Sequence, residues 1–326
     1  MQTWLPLATL ACVVPLTACS ASIRRPVQTT DAATGLEQVT RSSQNEFDPA
    51  ISPDGKSLAY EVAATSDAMP HVEVMSLADV QGTGAQRATY SSKDTPGLEP
   101  TWMPDGTGLV FVSRTKNSAK ALMQTMGKSP AQTNFIAPAG GPYVVAEWPA
   151  MSPDGQTMAM SLVNVVEFHS GWRDARRFDH ALGVSDLLGT GVTVLGAGSA
   201  PAFSPDGKRI AFSRNTGGHA HVFVANADGS GTLQITEGLS DDVQPAWSPD
   251  GRFLVFCSAH AADDHYVQAN IFAVRDDGSG LVQLTEGDRL ASRPAWGKDG
   301  FVYFHVNITE RFHIWRLRPQ GNIVGG

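Results

Sequence analysis

Acidic side chains recur in this chain at a fixed place, directly before regularly spaced prolines. Asp48 and Glu99 each precede a proline, and four other residues hold the same place before later prolines: Trp148, Ala200, Gln244 and Arg293. Further acids lie close by in the sequence: Glu46, Glu147, Asp241 and Asp242. If the fold gathers these side chains at a concave surface, they will attract a cation or a basic peptide segment. Carboxylates before prolines are also common as solvated connector residues, and this alternative stays open.

A second candidate contact surface lies in residues 167–180, EFHSGWRDARRFDH. This stretch combines aromatic and arginine side chains, which are frequent anchors of protein–protein contacts. The residues concerned are Trp172, Arg173, Arg176, Arg177 and Phe178. The alternative is that the aromatic residues only pack a longer loop against its own strands.

The remaining reactive residue types form no diagnostic catalytic or metal motif. His260 and His265 flank two aspartates, and His219 and His221 alternate near a predicted strand, but none has the H-E-x-x-H spacing of a zinc site. No G-x-S-x-G nucleophile motif occurs. Cys257 lies in an apolar stretch, which predicts a buried, unreactive thiol. We therefore predict no catalytic residue, no metal ligand and no cofactor.

The first residues predict export and lipid attachment. Residues 5–16 form an apolar run that is too short to span a bilayer and has the length of a signal-peptide core. The Leu-Thr-Ala-Cys that closes this segment resembles the bacterial lipobox, in which the cysteine thiol, here of Cys19, receives the lipid. Ser20 in the next position favours the outer membrane. Ordinary secretion, with cleavage near Ala18 or Ala21, is the alternative.

Composition excludes one class of partner. The 326-residue chain carries 24 basic and 32 acidic residues, and its net charge is −8. A nucleic-acid-binding protein would show a basic stripe, and no long run of lysine and arginine occurs. The two cysteines near the N-terminus and Cys257 cannot form a disulfide framework.

The prolines belong to an internal repeat. The sequence SPDG begins at residues 52, 152, 204 and 248, and the related MPDG and GKDG begin at 103 and 297. A proline stands three residues before each of these six starts. The spacing of 44 to 52 residues, with turn residues about every ten positions, predicts units of four short antiparallel strands.

Such units are typical of β-propeller blades, so the predicted fold class is all-β, a six-bladed β-propeller of four-stranded antiparallel blades. The last repeat shows three strands, while EQVT at residues 37–40 resembles a fourth strand ahead of the first repeat. We expect this N-terminal strand to pair beside residues 313–317 and close the ring, which leaves no free sheet edge.

The patterns P-x-[WF]-S-P-D-G and DGSG-x-x-Q-[IL]-T are similar to the propeller repeats of the TolB family, over roughly residues 36–318. The resemblance implies a protein-binding propeller in the periplasm. Two features depart from TolB: a lipobox is present, and no α/β segment precedes the propeller. Similar repeats occur in relatives of prolyl oligopeptidase, whose separate hydrolase domain does not fit here.

In antiparallel blades the SPDG and DGSG turns share one face, which we call the turn face. The irregular loops and blade connections share the other, the mouth face, where binding residues are expected. The predicted mouth residues are Glu46, Asp48, Glu99, Glu147, Trp148, Asp242, Gln244 and Arg293.

The predicted organisation is a signal peptide at 1–18, a flexible tether at 19–35, the propeller at 36–318 and a tail at 319–326. We expect a monomeric, lipid-anchored protein on the periplasmic side of the envelope that binds an envelope or periplasmic protein, Pal-like or other. A channel hydrolase or lyase, of lactonase or polysaccharide lyase type, and a purely structural envelope protein are the alternatives.

Overall fold

The computed structural model describes residues 28–63, 70–80, 87–91, 96–115, 118–125, 133–136, 143–164, 180–187, 191–262, 265–308 and 311–321. These ranges contain β-strands, a 3-10 turn at Leu77–Asp79 and no α-helix. Among the described residues, none forms a helix that could cross a membrane.

The strands fall into repeated groups along the chain. β1 (Gln28–Thr29) and β2 (Ala33–Gln38) come first. Blade 1 contains β3 (Asn45–Ile51), β4 (Ser57–Ala63), β5 (His71–Ser76) and β6 (Arg87–Thr89). Blade 2 contains β7 (Leu98–Trp102), β8 (Gly108–Thr115), β9 (Ser118–Thr125) and β10 (Thr133–Ile136). Blade 3 contains β11 (Tyr143–Met151), β12 (Thr157–Asn164), β13 (Ala181–Asp186) and β14 (Thr193–Ala197).

The second half follows the same plan. Blade 4 contains β15 (Ser199–Phe203), β16 (Arg209–Thr216), β17 (His219–Asn226) and β18 (Leu233–Gln234). Blade 5 contains β19 (Asp241–Trp247), β20 (Phe253–Ala262), β21 (His265–Arg275) and β22 (Val282–Gln283), and β23 (Thr285–Glu286) follows it. Blade 6 contains β24 (Ala291–Trp296), β25 (Val302–Val306) and β26 (His313–Pro319).

These blades form a closed ring. The first strand of each blade packs against the first strand of the next, in the order β3, β7, β11, β15, β19, β24 and back to β3. Hydrogen bonding gives four four-stranded sheets and one eight-stranded sheet, besides the small β1–β23 pair. The eight-stranded sheet is blades 2 and 3, joined by one parallel residue pair, Val145 with Ala119. The predicted six-bladed propeller is therefore confirmed.

The N-terminal strand completes blade 6, as expected. Glu37 pairs with Arg316 and Gln38 with Trp315, and the pairing continues to Ala33 with Pro319. The predicted tether is therefore wrong for residues 28–35, because β1 also pairs with β23 after blade 5, Gln28 with Glu286. The predicted tail begins too early, since the backbone N–H of Gln320 still donates to Ala32 O at 2.8 Å. Both observed boundaries differ from the predicted ones because main-chain pairing depends on the facing strand, and the local composition of a segment does not show which strand it will face.

The repeated turn is built as its residues predict. The last glycine of each turn has a φ between 69° and 82°, which an L side chain rarely adopts. In the first turn Ser52 Oγ donates to Asp54 Oδ1 at 2.6 Å and accepts from the N–H of Ser57 at 2.9 Å. A Cβ placed on Gly207 would lie 3.4 Å from Pro153 of the preceding blade, so neighbouring turns pack closely on the turn face.

The core lies in the seams between neighbouring blades. The aromatic side chains at the centres of the second strands are fully buried there, for example Tyr60, Phe111 and Phe212. A tryptophan before the turn fixes neighbouring blades to each other, because Trp247 Nε1 donates to Ala202 O at 3.0 Å. The seams hold the six first strands, and with them the residues before the prolines, around one axis.

Candidate functional site

The six residues before the prolines share one unusual backbone conformation. Each has a φ between 50° and 60°, and they are the described non-glycine residues with positive φ: Asp48, Glu99, Trp148, Ala200, Gln244 and Arg293. At each of them the pairing with the second strand is interrupted, for example between Phe47 and Ala50. Left-handed φ costs an L-residue about 1–2 kcal/mol. A fold that accepts this cost at six equivalent places must gain something from the conformation.

The gain is a ring of hydrogen bonds between blades. The freed N–H of each residue donates to a side chain of the preceding blade. The bonds are Asp48 N to His305 Nδ1 at 3.2 Å, Trp148 N to Glu99 Oε2 at 2.6 Å, Ala200 N to Ser161 Oγ at 2.9 Å, Gln244 N to Ser213 Oγ at 3.1 Å and Arg293 N to Gln244 Oε1 at 3.0 Å. The N–H of Glu99 closes the ring by donating to the carboxylate of Glu61.

The acceptors follow a rule that is present in the sequence but was not used to predict the mouth residues. Four of them come from the same position in the second strand: Glu61, Ser161, Ser213 and His305. Blade 2 has Val112 at this position and blade 5 has Cys257. In these two blades the acceptor is instead the residue before the proline, Glu99 or Gln244. The constant offset from the turn, nine residues after its start in five repeats, is the signal that could have identified Glu61.

Arg293 lies at the centre of this ring. Its Nε is 3.3 Å from Asp48 Oδ1, and its Nη2 is 3.7 Å from Glu99 Oε1. Its guanidinium carbon is 3.2 Å from the centroid of the Trp148 ring. All four side chains are largely buried. We call Asp48, Glu61, Glu99, Trp148, Arg293 and His305 the axial cluster.

Burial controls protonation in the axial cluster. Desolvation raises the pKa of Asp48, and the charge of Arg293 offsets part of that rise. Burial, followed by the charges of Asp48 and Glu99, raises the pKa of Glu61 well above its ordinary value. Burial and then Arg293 lower the pKa of His305 to about 3. His305 is therefore neutral at pH 7, and its Nδ1 accepts from Asp48 while Nε2 bonds Ser292 Oγ at 2.7 Å.

Several buried polar atoms of the axial cluster form no hydrogen bond of good geometry with the described residues. In the described part of the chain, neither carboxylate oxygen of Asp48 receives a hydrogen bond of good geometry. Glu61 Oε2 and Arg293 Nη2 likewise form no hydrogen bond of good geometry there. Buried polar atoms are normally satisfied. Three carboxylates also face one arginine, so the cluster can accept further hydrogen-bond donors.

Other predicted mouth residues lie elsewhere. Glu46 is fully buried in the seam between blades 6 and 1, where its Oε2 contacts His313 Nδ1 at 2.7 Å. Asp242 is buried in the seam between blades 4 and 5 and bonds Ser258 and Thr236. Burial raises the pKa of Asp242. Glu147 is buried beside Trp148, and Gln244 acts in the ring of hydrogen bonds.

The remaining predictions fall outside the described residues or form no site. Cys19 and the blade 3 residues Trp172, Arg173, Arg176, Arg177 and Phe178 lie outside the described ranges. Cys257 is 2% exposed, and burial raises the pKa of its thiol to about 12, as expected of an unreactive thiol. Within the described residues, no three His, Cys, Asp or Glu side chains are grouped so that they could hold a metal ion.

The ring of blades and the repeated turn define a β-propeller with a buried cluster of charged and aromatic side chains at its axis. The profile of the TolB beta propeller domain family (PD40) matches residues 188–323. The Tol-Pal system protein TolB of Anaeromyxobacter dehalogenans is 32% identical over 99 residues, which are 30% of this chain and 21% of that protein. An uncharacterized peptidase of Bacillus subtilis, YuxL, is 26% identical over 231 residues, 70% of this chain and 30% of that protein. The chain thus spans less than a third of the length of these two relatives.

Solved structures agree on the fold. TolB from Acinetobacter baumannii superposes with a TM-score of 0.62 at 20% identity, over 79% of this chain and 59% of that one. A putative TolB from Agrobacterium tumefaciens gives 0.64 at 16% identity, over 91% and 99%. A gluconolactonase from Xanthomonas campestris gives 0.60 at 13% identity, over 94% and 99%. The chain carries a TolB-like β-propeller.

Proposed function

We propose that this protein is a lipid-anchored propeller on the periplasmic side of the cell envelope, which binds an envelope protein at its mouth face. The observation that carries the proposal is the axial cluster. Three buried carboxyl groups share one arginine there, and among the described residues neither oxygen of Asp48 receives a hydrogen bond of good geometry. A basic segment of a partner would supply those donors.

The surface around the mouth supports a protein ligand. Leu239, in the connection from blade 4 to blade 5, is 81% exposed, and Val267, near the β20–β21 hairpin, is 45% exposed. By strand direction both lie on the mouth face. Exposed apolar side chains on the same face as charged groups are typical of a contact with an apolar part and a polar part.

The course of the N-terminus is compatible with an anchor on the same side. β1 runs antiparallel to β23, which leads into a connection of the mouth face. β1 therefore begins on the side of the mouth face. The nine residues 19–27 reach at most about 30 Å when extended. If Cys19 carries lipid, the mouth face is held within that distance of the membrane.

Capture of partners from an envelope extract tests the binding proposal. Leu239→Asp should reduce capture at least about tenfold, because an aspartate cannot fill an apolar contact. Leu233→Asp is the matched control, since Leu233 is 49% exposed on an outer strand away from the mouth. Equal capture by both variants and the wild type would refute the mouth face as the contact surface and favour a structural envelope protein.

The anchor has its own test. Cells that express the wild type or Cys19→Ala are labelled with radioactive palmitate. We expect label in the wild type alone, and equal label in both would refute lipidation at Cys19.

An enzyme that uses the channel is the second candidate function. The raised pKa of Glu61, a carboxyl group buried on the axis, is typical of acid–base sites. Turnover of sugar lactones or of oligogalacturonates by the wild type, with at least about a tenfold loss in Glu61→Gln, would establish this function. Absence of turnover with intact partner capture would support the binding function.

A further inference from the structure

A groove of about 430 Å³ lies on the turn face, between blades 3 and 4. Phe203, Thr157 and Ala227 are among the residues that line it. These residues have no part in the axial cluster, which lies on first and second strands around the axis of the ring.

In the neighbouring seam, the equivalent position on the turn face is occupied by a side chain of the protein itself. Between blades 4 and 5, Arg209 Nη1 is 2.7 Å from Asp276 Oδ2. The guanidinium carbon of Arg209 lies 4.7 Å from the centroid of the Trp247 ring, and its Nη2 donates to Gly251 O at 3.3 Å. An arginine therefore fills this seam, stacked on an aromatic ring and paired with an aspartate.

The same three positions differ between blades 3 and 4. Thr157 and Arg209 both stand five residues after the first serine of their turns, and Phe203 and Trp247 directly precede the turns. Ala227 N donates to Lys208 O at 2.9 Å, and Asp276 N donates to Arg252 O at 3.1 Å, so these two positions correspond. Threonine and alanine thus replace the arginine and its aspartate, while the position before the turn remains aromatic.

Two other seams are filled from within the chain. Phe253, which corresponds to Arg209, belongs to the hydrophobic cluster between blades 5 and 6, against which Trp296 also packs. Phe301 and Leu77 both pack against the cluster between blades 6 and 1. The groove between blades 3 and 4 results from small side chains at positions that are filled in these seams.

The rim of the groove is acidic. Asp154, Asp206 and Asp228 line it, together with one cation, Lys208. In each aspartate one oxygen accepts from a nearby serine hydroxyl, for example Ser204 Oγ to Asp206 Oδ1 at 2.6 Å. These hydrogen bonds hold the pKa of all three carboxyl groups below the usual range. The rim is therefore ionised at neutral pH.

We propose that this groove binds an arginine side chain of a second polypeptide, presented on an extended basic segment. The guanidinium group stacks on Phe203, as Arg209 stacks on Trp247. The acidic rim takes the place of an aspartate equivalent to Asp276, which this seam lacks because Ala227 holds that position. The turn face is then a second contact surface, independent of the mouth face.

Titration of the full chain with the peptide acetyl-Gly-Arg-Gly-amide, followed by calorimetry or NMR, tests the proposal. We expect saturable binding by the wild type and none of comparable strength with citrulline in place of arginine. Thr157→Arg with Ala227→Asp rebuilds the pair of the next seam within the chain and should abolish binding. Ala227→Leu, which copies Leu77, fills the groove without charge and should do the same.

Asp206→Asn tests the acidic rim, and Asp54→Asn is its matched control. Asp54 has the same serine cap in the turn of blade 1, with Ser52 Oγ at 2.6 Å, but lies away from the groove. We expect Asp206→Asn alone to weaken binding several-fold. No binding by the wild type, unchanged binding after the groove is filled, or equal effects of the two asparagine variants would each overturn the proposal.

Discussion

The guanidinium group of Arg293 stacks on the indole ring of Trp148, at 3.2 Å from its centroid. Arg293 belongs to blade 6 and Trp148 to blade 3, and these blades stand opposite each other in the ring of six. The pair therefore spans the axis. An arginine of the protein itself therefore lies among the acidic side chains at the axis. A basic partner, if bound there as proposed, would compete with Arg293 or bind beside it.

Removal of this arginine should destabilise the protein in a pH-dependent way. Arg293→Met leaves the buried carboxylates of Asp48 and Glu99 without their cation, and such a loss costs about 3–5 kcal/mol. The cost should shrink toward pH 4, because the carboxyl groups then bind protons. Urea unfolding at pH 7 and pH 4 measures it. Arg252→Met, which breaks an exposed pair with Asp250, should cost less than about 0.5 kcal/mol. A loss of equal size at both pH values would contradict the electrostatic role of Arg293.

Glu61→Gln should stabilise the protein at neutral pH. Folding raises the pKa of Glu61 above its ordinary value of 4.5, so the folded state binds this proton more tightly than the unfolded state. The resulting stability is fully present below pH 4.5 and is lost as the pH rises through the raised pKa. Glutamine does not titrate and can still accept from Glu99 N–H. At pH 8 the free energy of unfolding of the variant should exceed that of the wild type by about 1.4 kcal/mol per unit of pKa shift, so the variant should also unfold at a higher temperature. The difference should vanish near pH 4, and a constant difference would exclude this explanation.

Ala200→Gly should stabilise the fold. Ala200 has a φ of 50°, and glycine adopts this conformation without the steric cost of a Cβ, which is about 1–2 kcal/mol. The larger entropy of glycine in the unfolded chain offsets part of this gain. The net gain should be about 0.5–1 kcal/mol by thermal unfolding. Ala202, in the same strand and without positive φ, is the control. Ala202→Gly should destabilise, and the same sign for both changes would contradict the strain at Ala200.

A charge reversal tests ring closure. Glu37 Oε2 in β2 accepts from Arg316 Nε at 2.9 Å and Nη2 at 2.7 Å in β26. Glu37→Arg places like charges across the closing strand pair and should cost about 1–2 kcal/mol. Adding Arg316→Glu should recover about half of this loss, because the stacking of Arg316 on Phe301 is lost as well. No recovery in the double variant would show that the pair does not contribute to closure.

Much of the fold followed from local residue types. Proline, aspartate and glycine at fixed offsets define the hairpin turn, and six turns define six blades. The EQVT segment correctly predicted the closing strand. Its threonine has the same role as the threonine that follows the fourth strand of blade 5: Thr40 Oγ1 accepts from Ile314 N at 2.9 Å, as Thr285 Oγ1 accepts from Ile271 N. The pairing of β1 with β23 could not be predicted, since two residues carry too little pattern.

The site was predicted less completely. The residues before the prolines were identified correctly as the inner ring, but the roles of Glu46 and Asp48 were not separated. Residues two apart in a regular strand point the same way. The positive φ of Asp48 interrupts this regularity, so that Glu46 bonds His313 in a seam while Asp48 meets Arg293 at the axis.

The sequence by itself determined the number of blades, the turn chemistry and the positions that surround the axis, because these depend on short-range backbone preferences repeated six times. Only the tertiary structure decided which side chains meet. Arg293 and Trp148 are 145 residues apart, and no local pattern pairs them. Closure of the ring brings opposite blades together at the axis, and burial there raises the pKa of Asp48 and of Glu61.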